Sequence, residues 1–332
     1  MKRVTVKIPC RIHASVKDMS KFSLGVSGGG GVGISIAKNI EIIIERIQAE
    51  ADIINTSSEL VVKHFLDVIR KKYNVDDRWR IESRSDIIPH TGFGSTGSLI
   101  LGLCAGLHVL LDKQISNEDL VAFYLENVKE QHAGRLTDCF ETGVGPWSVL
   151  LGGVVIVDEK KHLAEWRILP QEYKILLVYP LSRKSVPIVE EETLMALGKK
   201  ADEEAKCYKT KLFSEMEELL RAPDCDYPRV LSLIGKLQRV GSKSKEIQFA
   251  DKWYNGLISD CLKKGQAVNV ALTGLSSVGP TVFCIDTKEK IDLLYDQFKS
   301  KRSLECEIVG HSKGIQIIDE QIGGDYELSR DL

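Results

Sequence analysis

The sequence predicts an α+β fold, with strands in clusters and helices in blocks rather than regular βαβ alternation. Three observations carry this. Residues 3–16 (RVTVKIPCRIHASV) alternate apolar and polar side chains as a strand does, Leu99–Leu111 is apolar nearly all round as a buried helix is, and the chain closes on a strand–loop–strand–helix–strand pattern. With 332 residues, 43% hydrophobic and 28% charged, there is enough chain for one large or two moderate cores.

In chain order, the strand at 3–16 is followed by Gly28–Gly31 and Gly33, which break the alternation, and by the β-branched run Ile34–Ile47. Two further strands around a tight turn are expected there. Leu60, Val61, His64, Phe65, Val68 and Ile69 recur at helical spacing and predict a helix over 57–73, with Ser57 or Ser58 as its N-cap. Trp79–Ser85 reads as a strand, Pro89–Ser98 as a glycine-rich loop and Leu99–Leu111 as the helix after it. Ser116 caps a helix over Asn117–Gln131, residues 133–148 form a turn-rich region, and Val149–Val157 runs through Gly152-Gly153 into a strand. A division near His162–Glu172 separates units of residues 1–165 and 166–332. In the second unit, Lys174–Tyr179 is a buried strand, and helices are expected over 190–221, 227–239 and 248–264. Strands follow at 268–272, 282–286 and 304–309, with a glycine/serine loop at Gly274–Pro280 and a helix over 287–300. Gly323–Leu332 is expected to fray.

Composition excludes several functions. The net charge is −2 and no long basic block occurs, so neither nucleic acid nor a membrane surface is an expected partner. No apolar run reaches the roughly 18 residues of a membrane span. Met1-Lys2-Arg3 leads into a strand rather than a signal peptide core, and a cytoplasmic protein is expected. Eight cysteines occur without a C-x-x-C pair, so most are expected to be buried thiols rather than zinc ligands.

An anionic ligand must therefore be gripped by a local device. Pro89-His90-Thr91-Gly92-Phe93-Gly94-Ser95-Thr96-Gly97-Ser98 is the best one. Glycines let the backbone turn with positive φ and approach a ligand closely, and the helix behind offers unpaired N–H groups and the positive end of its dipole. Together these suit a phosphate group, with Ser95, Thr96 and Ser98 adding hydroxyls and Thr96 able to ligate magnesium on a phosphate chain. The competing reading is a glycine-rich turn that merely caps a buried helix. No Gly-Lys-Ser/Thr occurs, so this is not a Walker A loop, and no Rossmann acidic ribose ligand follows.

Other residue types admit two readings each. Arg11 suits bidentate pairing with a carboxylate or phosphate, or is a surface arginine on an edge strand. His13 suits proton transfer near neutrality, or is a structural histidine. Asp18 would orient His13 or hold magnesium, or sits in a turn. His90 would touch the ligand or brace the loop. Glu130 and Asp138 are magnesium candidates beside the middle loop, or a helix-end carboxylate and a turn residue. Gly143 and Gly145 shape that middle loop. Ser276, Ser277 and Thr281 would meet a phosphate from the second unit, or form a tight turn between units. His64 and His108 read as packing residues and Trp147 as core.

The glycine-rich loop resembles the P-x-x-x-G-L-G-S-S signature of the GHMP kinases, the superfamily of galactokinase, homoserine kinase and mevalonate kinase. Gly145–Gly153 and Gly274–Val282 are similar to its other two conserved segments. Within it, the chain looks most like beta-ribofuranosylaminobenzene 5'-phosphate synthase. Arg11-Ile12-His13 with Asp18-Met19, Gly28–Gly33, His90–Ser95 and Ser276–Phe283 carry that likeness, the last being the most specific. The chain departs from it at Thr96-Gly97-Ser98, where the family reads on G-T-Q, and at Thr142, where it has serine. The resemblance implies an N-terminal domain like domain 2 of ribosomal protein S5, a ferredoxin-like C-terminal α/β domain, and an active site between them. It implies a magnesium-dependent transferase that joins phosphoribosyl diphosphate to a 4-substituted benzoate, releasing carbon dioxide and pyrophosphate in methanopterin biosynthesis. The alternatives are an ATP-dependent kinase of a small metabolite and a non-catalytic phosphate-binding protein. All three take a small phosphorylated partner, and all allow a homodimer. Many GHMP kinases carry an aspartate about eight residues before the Gly-Gly pair; here that count falls on Val144 and Gly145, which cannot accept a proton.

Overall fold

The computed structural model describes residues 2–19, 29–87, 91–132, 134–139, 141–181, 188–319 and 324–326. It is α+β, as the sequence predicts. In the first sheet, β1 (Arg3–Asp18) runs antiparallel to β2 (Gly29–Ile47) over nearly its whole length. Val4, Val6, Ile8, Cys10, Ile12, Ala14 and Val16 of β1 are all buried, the period-2 face that the sequence announced. β2 is one long strand where two were expected. Its C-terminal part pairs with β4 (Arg78–Arg84), its N-terminal part with β7 (Val154–Val157), and a register shift at Pro9/Cys10 bends it between them. Pro9 has no N–H to give the ladder, which suits it to a bulge. The glycines at 29–33 belong to this strand and not to a turn, while Gly28 lies outside the described residues. A side chain at Gly33 would meet Ser148 Oγ at 2.2 Å, so glycine there lets a helix lie directly on the strand.

Short β3 (Ile53–Asn55) joins β4 in parallel, and β8 (Leu163–Arg167) extends the sheet beyond β7. Helix α1 (Glu59–Tyr73) follows β3, close to the predicted 57–73, and α2 (Ser95–Leu110) packs on β1 and β2. Gly102 and Gly106 bring α2 against Val6, Ile8, Ile42 and Ile44. The helix begins at Ser95, four residues earlier than expected, so the last four residues of the predicted loop are its first turn.

Two segments differ in kind from the sequence reading. Helix α3 (Asn117–Asn127) stops short of Gln131, because Val128 is extended and the chain turns into the hairpin β5 (Lys129–His132) and β6 (Arg135–Asp138). The run 149–157 is not one strand: α4 (Val144–Leu151) precedes β7, with Gly152 breaking the helix at φ 78°. An apolar run buried on every side carries no periodicity to tell helix from strand.

The chain enters a second sheet at β9 (Tyr173–Pro180). Helices α5 (Ile188–Arg221), α6 (Tyr227–Leu237), α7 (Gly241–Trp253) and α8 (Leu257–Ala267) follow, then β10 (Leu272–Leu275), β11 (Val282–Thr287), α9 (Lys288–Lys299) and β12 (Leu304–Val309). The order is β10-β11-β9-β12, all antiparallel. Of the strand expected at 268–272 only Leu272 lies in β10; Val268 caps α8, and the residues between them form a turn. Finally, β13 (Gln316–Asp319) returns to the first sheet and pairs with β1, and β14 (Gly324–Tyr326) pairs with β13 inside the stretch expected to fray. Of the cysteines, Cys10, Cys104, Cys261 and Cys284 are buried and Cys207 is exposed, so fewer are buried than expected. No described helix is long and apolar enough to cross a membrane.

Candidate functional site

The N-terminus of α2 is where the sequence predicts an anion site. Gly94 caps it in the left-handed conformation (φ 65°), without a side-chain hydrogen bond to the first turn. The first intrahelical bond runs from Ser98 N to Gly94 O, so the amides of Ser95, Thr96 and Gly97 are left for a ligand. These three residues are half-exposed, whereas Ser98 is buried and faces the Cys10 thiol. Behind the turn lies Arg11. Its Nη1 donates to Gly92 O at 2.9 Å, and a Cβ on Gly94 would sit 2.6 Å from its Cζ, so only glycine fits over the guanidinium. Arg11 is thus not a surface arginine. Burial lowers its pKa, and the Glu141 carboxylate opposes that shift.

The loop between β10 and β11 packs against the same turn from the second sheet. Ser276 Oγ donates to Gly92 O at 2.7 Å, and Thr281 Oγ1 donates to Thr91 O at 2.6 Å. Ser277, at φ 50°, donates its N–H to His13 O at 2.9 Å and accepts at its carbonyl from Lys243 Nζ at 3.0 Å. Lys243 is fully buried on α7 and paired with Glu246; burial lowers its pKa and Glu246 opposes this. His13 is buried as well, with Nε2 3.3 Å from Thr142 Oγ1. Burial, then Arg11, then Lys243 push its pKa well below the ordinary value of 6.5, so the ring is neutral at pH 7.

Glu141 forms the third side of the site. Its Oε1 accepts from Gly143 N at 3.0 Å and its Oε2 from Tyr124 Oη at 3.3 Å. The same Tyr124 Oη lies 2.8 Å from where a Cβ on Gly97 would be, which ties Glu141 to the first turn of α2. Burial raises the Glu141 pKa above 4.5, with Arg11 pulling the other way. Val144 N donates to Thr142 Oγ1, so the amides of Gly143 and Val144 at the start of α4 are already met by side chains. Of the two helix N-termini, α2 is the open one and α4 the closed one.

Residues 59–140 match the family of GHMP kinases N terminal domains. Solved structures of similar architecture extend the likeness to the whole chain. Homoserine kinase from Cytophaga hutchinsonii superposes with a TM-score of 0.67 at 15% identity, covering 95% of this chain and 97% of that one. Mevalonate diphosphate decarboxylase from Staphylococcus aureus gives 0.67 at 14%, covering 96% and 98%. The mevalonate diphosphate decarboxylase from Enterococcus faecalis gives 0.62 at 14%, covering 96% and 99%. The chain has the fold of the GHMP kinases. At these identities the likeness is one of fold, and no curated protein matches the chain.

Within this GHMP fold the predicted site residues divide into three groups. Arg11, His13, Gly92, Gly94, Ser95, Thr96, Gly97, Ser276, Ser277 and Thr281 come together around one turn, with Gly143 and Gly145 on its Glu141 side. Asp18 ends β1 five residues beyond His13, about 16 Å along a strand, and the Nε2 partner of His13 is Thr142. Glu130 and Asp138 are exposed on the β5–β6 hairpin, where Asp138 pairs with Lys129. Among the described residues, no group of three or more His, Cys, Asp and Glu side chains could hold a metal ion. His90 lies outside the described residues. His108 packs as expected, accepting from Tyr73 Oη at Nε2. Sequence reasoning missed Glu141, Tyr124 and Lys243. Glu141 was discoverable, because Glu-Thr-Gly stands directly before the glycine turn that opens α4.

Proposed function

We propose that the protein is a transferase of a small phosphorylated substrate, and more finely a phosphoribosyl-diphosphate-dependent synthase acting on a 4-substituted benzoate. One observation carries the finer reading. Three segments through which the sequence resembles beta-ribofuranosylaminobenzene 5'-phosphate synthase, around Arg11–His13, Thr91–Ser95 and Ser276–Thr281, are hydrogen-bonded to one another at the open N-terminus of α2. In that chemistry the bond from the anomeric carbon to the diphosphate breaks as positive charge develops on the sugar. A ring carbon of the benzoate forms the new bond, the carboxylate leaves as carbon dioxide, and pyrophosphate departs.

Each part of the site has a task in this scheme. The amides of Ser95–Gly97 stabilise charge gathering on the departing diphosphate. Arg11 adds a fixed positive charge beneath the turn. His13, neutral and buried, polarises without carrying charge. Glu141 and Thr96 supply carboxylate and hydroxyl oxygens of the kind magnesium takes, and a carboxylate whose ionisation is disfavoured by burial gains from a cation beside it. Magnesium, when bound, neutralises the phosphate charge.

A second reading, an ATP-dependent small-molecule kinase, is favoured by Glu141. It places a carboxylate at the start of α4, close to where many GHMP kinases have their aspartate, although Val144 and Gly145 occupy the expected positions. A structure of MDDEF, a protein of this fold, contains AMPPCP and magnesium. Thermal stabilisation with magnesium and either phosphoribosyl diphosphate or ATP separates the two. The synthase reading expects stabilisation by the ribosyl compound and benzoate-dependent release of pyrophosphate; stabilisation by ATP alone sinks it in favour of the kinase.

A further inference from the structure

Resting on the reading of α2 as a phosphate site, we propose that Ser276, Thr281 and Arg11 are positioning residues that aim the backbone amides of 92–94 at the phosphate chain. Ser276 and Thr281 are both 0% exposed, so no ligand reaches their hydroxyls. Each hydroxyl has one proton and has already given it away, Ser276 to Gly92 O and Thr281 to Thr91 O. Ser276 Oγ also accepts from His13 N at 3.2 Å. Gly92 O takes a further bond from Arg11 Nη1, and Phe93 O takes one from Arg11 N at 3.2 Å.

Three successive carbonyls, those of Thr91, Gly92 and Phe93, are therefore pinned from behind by β1 and the β10–β11 loop. In a planar trans peptide the N–H points opposite to the C=O. Pinning these carbonyls turns the amides of Gly92, Phe93 and Gly94 away from the pinned side. Among the described residues none of these amides makes a backbone hydrogen bond, nor do those of Ser95, Thr96 and Gly97. The result is a continuous run of donors whose first half is oriented by the second sheet. Residues of the C-terminal half thus set the affinity of a site they do not touch.

The test uses the full-length protein and inorganic pyrophosphate with magnesium, followed by calorimetric titration. Thr281→Val keeps the shape and removes the donor; Ser276→Ala removes the other. Each is expected to weaken pyrophosphate binding about tenfold or more, the scale of one lost buried hydrogen bond. Thr281→Ser should restore it to within about threefold, because the hydroxyl returns. Ile285→Val, a core change in β11, serves as a control for general loss of stability. The inference is overturned if the two variants bind like wild type, or weaken binding no more than Ile285→Val at equal loss of Tm. If wild-type protein binds none of pyrophosphate, phosphoribosyl diphosphate and ATP, the phosphate-site reading itself falls, and this inference with it.

Discussion

His13 is held neutral by burial between two cations, and that has a consequence for stability. Its folded pKa lies below the unfolded value of 6.5, so the unfolded chain is the better proton binder in between. Stability is therefore complete above about pH 6.5 and falls as the pH drops, by up to about 1.4 kcal/mol per pH unit for one group. His108 is shifted in the same direction. Urea midpoints from pH 7.5 to 5 should decline in the wild type and decline less in His13→Asn; an unchanged slope would count against a buried neutral imidazole. Glu141 has the opposite sign. Its folded pKa is raised, so it favours folding at low pH and loses that contribution as pH rises above its unfolded value. Glu141→Gln keeps an oxygen for Gly143 N and removes the charge. We expect a higher Tm at pH 7, a difference that vanishes toward pH 4, and a sharp loss of magnesium-dependent turnover. A lower Tm at pH 7 would show that the ionised form is the stabilising one.

At the level of elements, the site is a contrast between two helix N-termini. Helix α4 is closed by Glu141 and Thr142, whereas α2 is left open beneath Gly94 and beside Tyr124. Gly97→Ala would place Cβ 2.8 Å from Tyr124 Oη and force the first turn of α2 to shift. Removing that oxygen with Tyr124→Phe relieves the contact. The double variant should recover stability and pyrophosphate binding relative to Gly97→Ala alone, a coupling of roughly 0.5–3 kcal/mol in a double-mutant cycle. Strict additivity would mean that the two groups do not meet.

Across the whole molecule, the two sheets are joined by side chains as well as by the returning strand. Gln238, at the end of α6, donates Nε2 to Ala14 O at 2.5 Å and accepts at Oε1 from Leu275 N at 2.9 Å, bridging β1 and β10. It is 2% exposed, so Gln238→Leu strands two buried backbone groups, at a cost of about 2–4 kcal/mol. Calorimetry should show a lower Tm, together with a second transition if the sheets then melt apart. No change in Tm would mean that the bridge carries nothing. The β13 pairing with Val4–Lys7 supplies a further tie, from a segment distant in sequence.

The sequence by itself determined the elements whose pattern is local: the alternating face of β1, the helical spacing of α1, the buried α2 and the strand at 304–309. It also marked Gly92–Gly97 as a glycine turn that leads into a helix, because glycines there act through the backbone. Only tertiary structure decided the rest. β2 is one bent strand because β1 pairs along nearly its whole length while β7 and β4 take separate parts of it. The run 144–151 is a helix because it must lie across Gly33 and its neighbours, which its own apolar residues do not record. Ser276 and Thr281 read in sequence as hydroxyls aimed at a ligand, yet they face the carbonyls of a loop more than 180 residues away. Periodicity and capping are set by neighbours along the chain, whereas partners of edges, orphan carbonyls and buried charges are chosen by what packs against them.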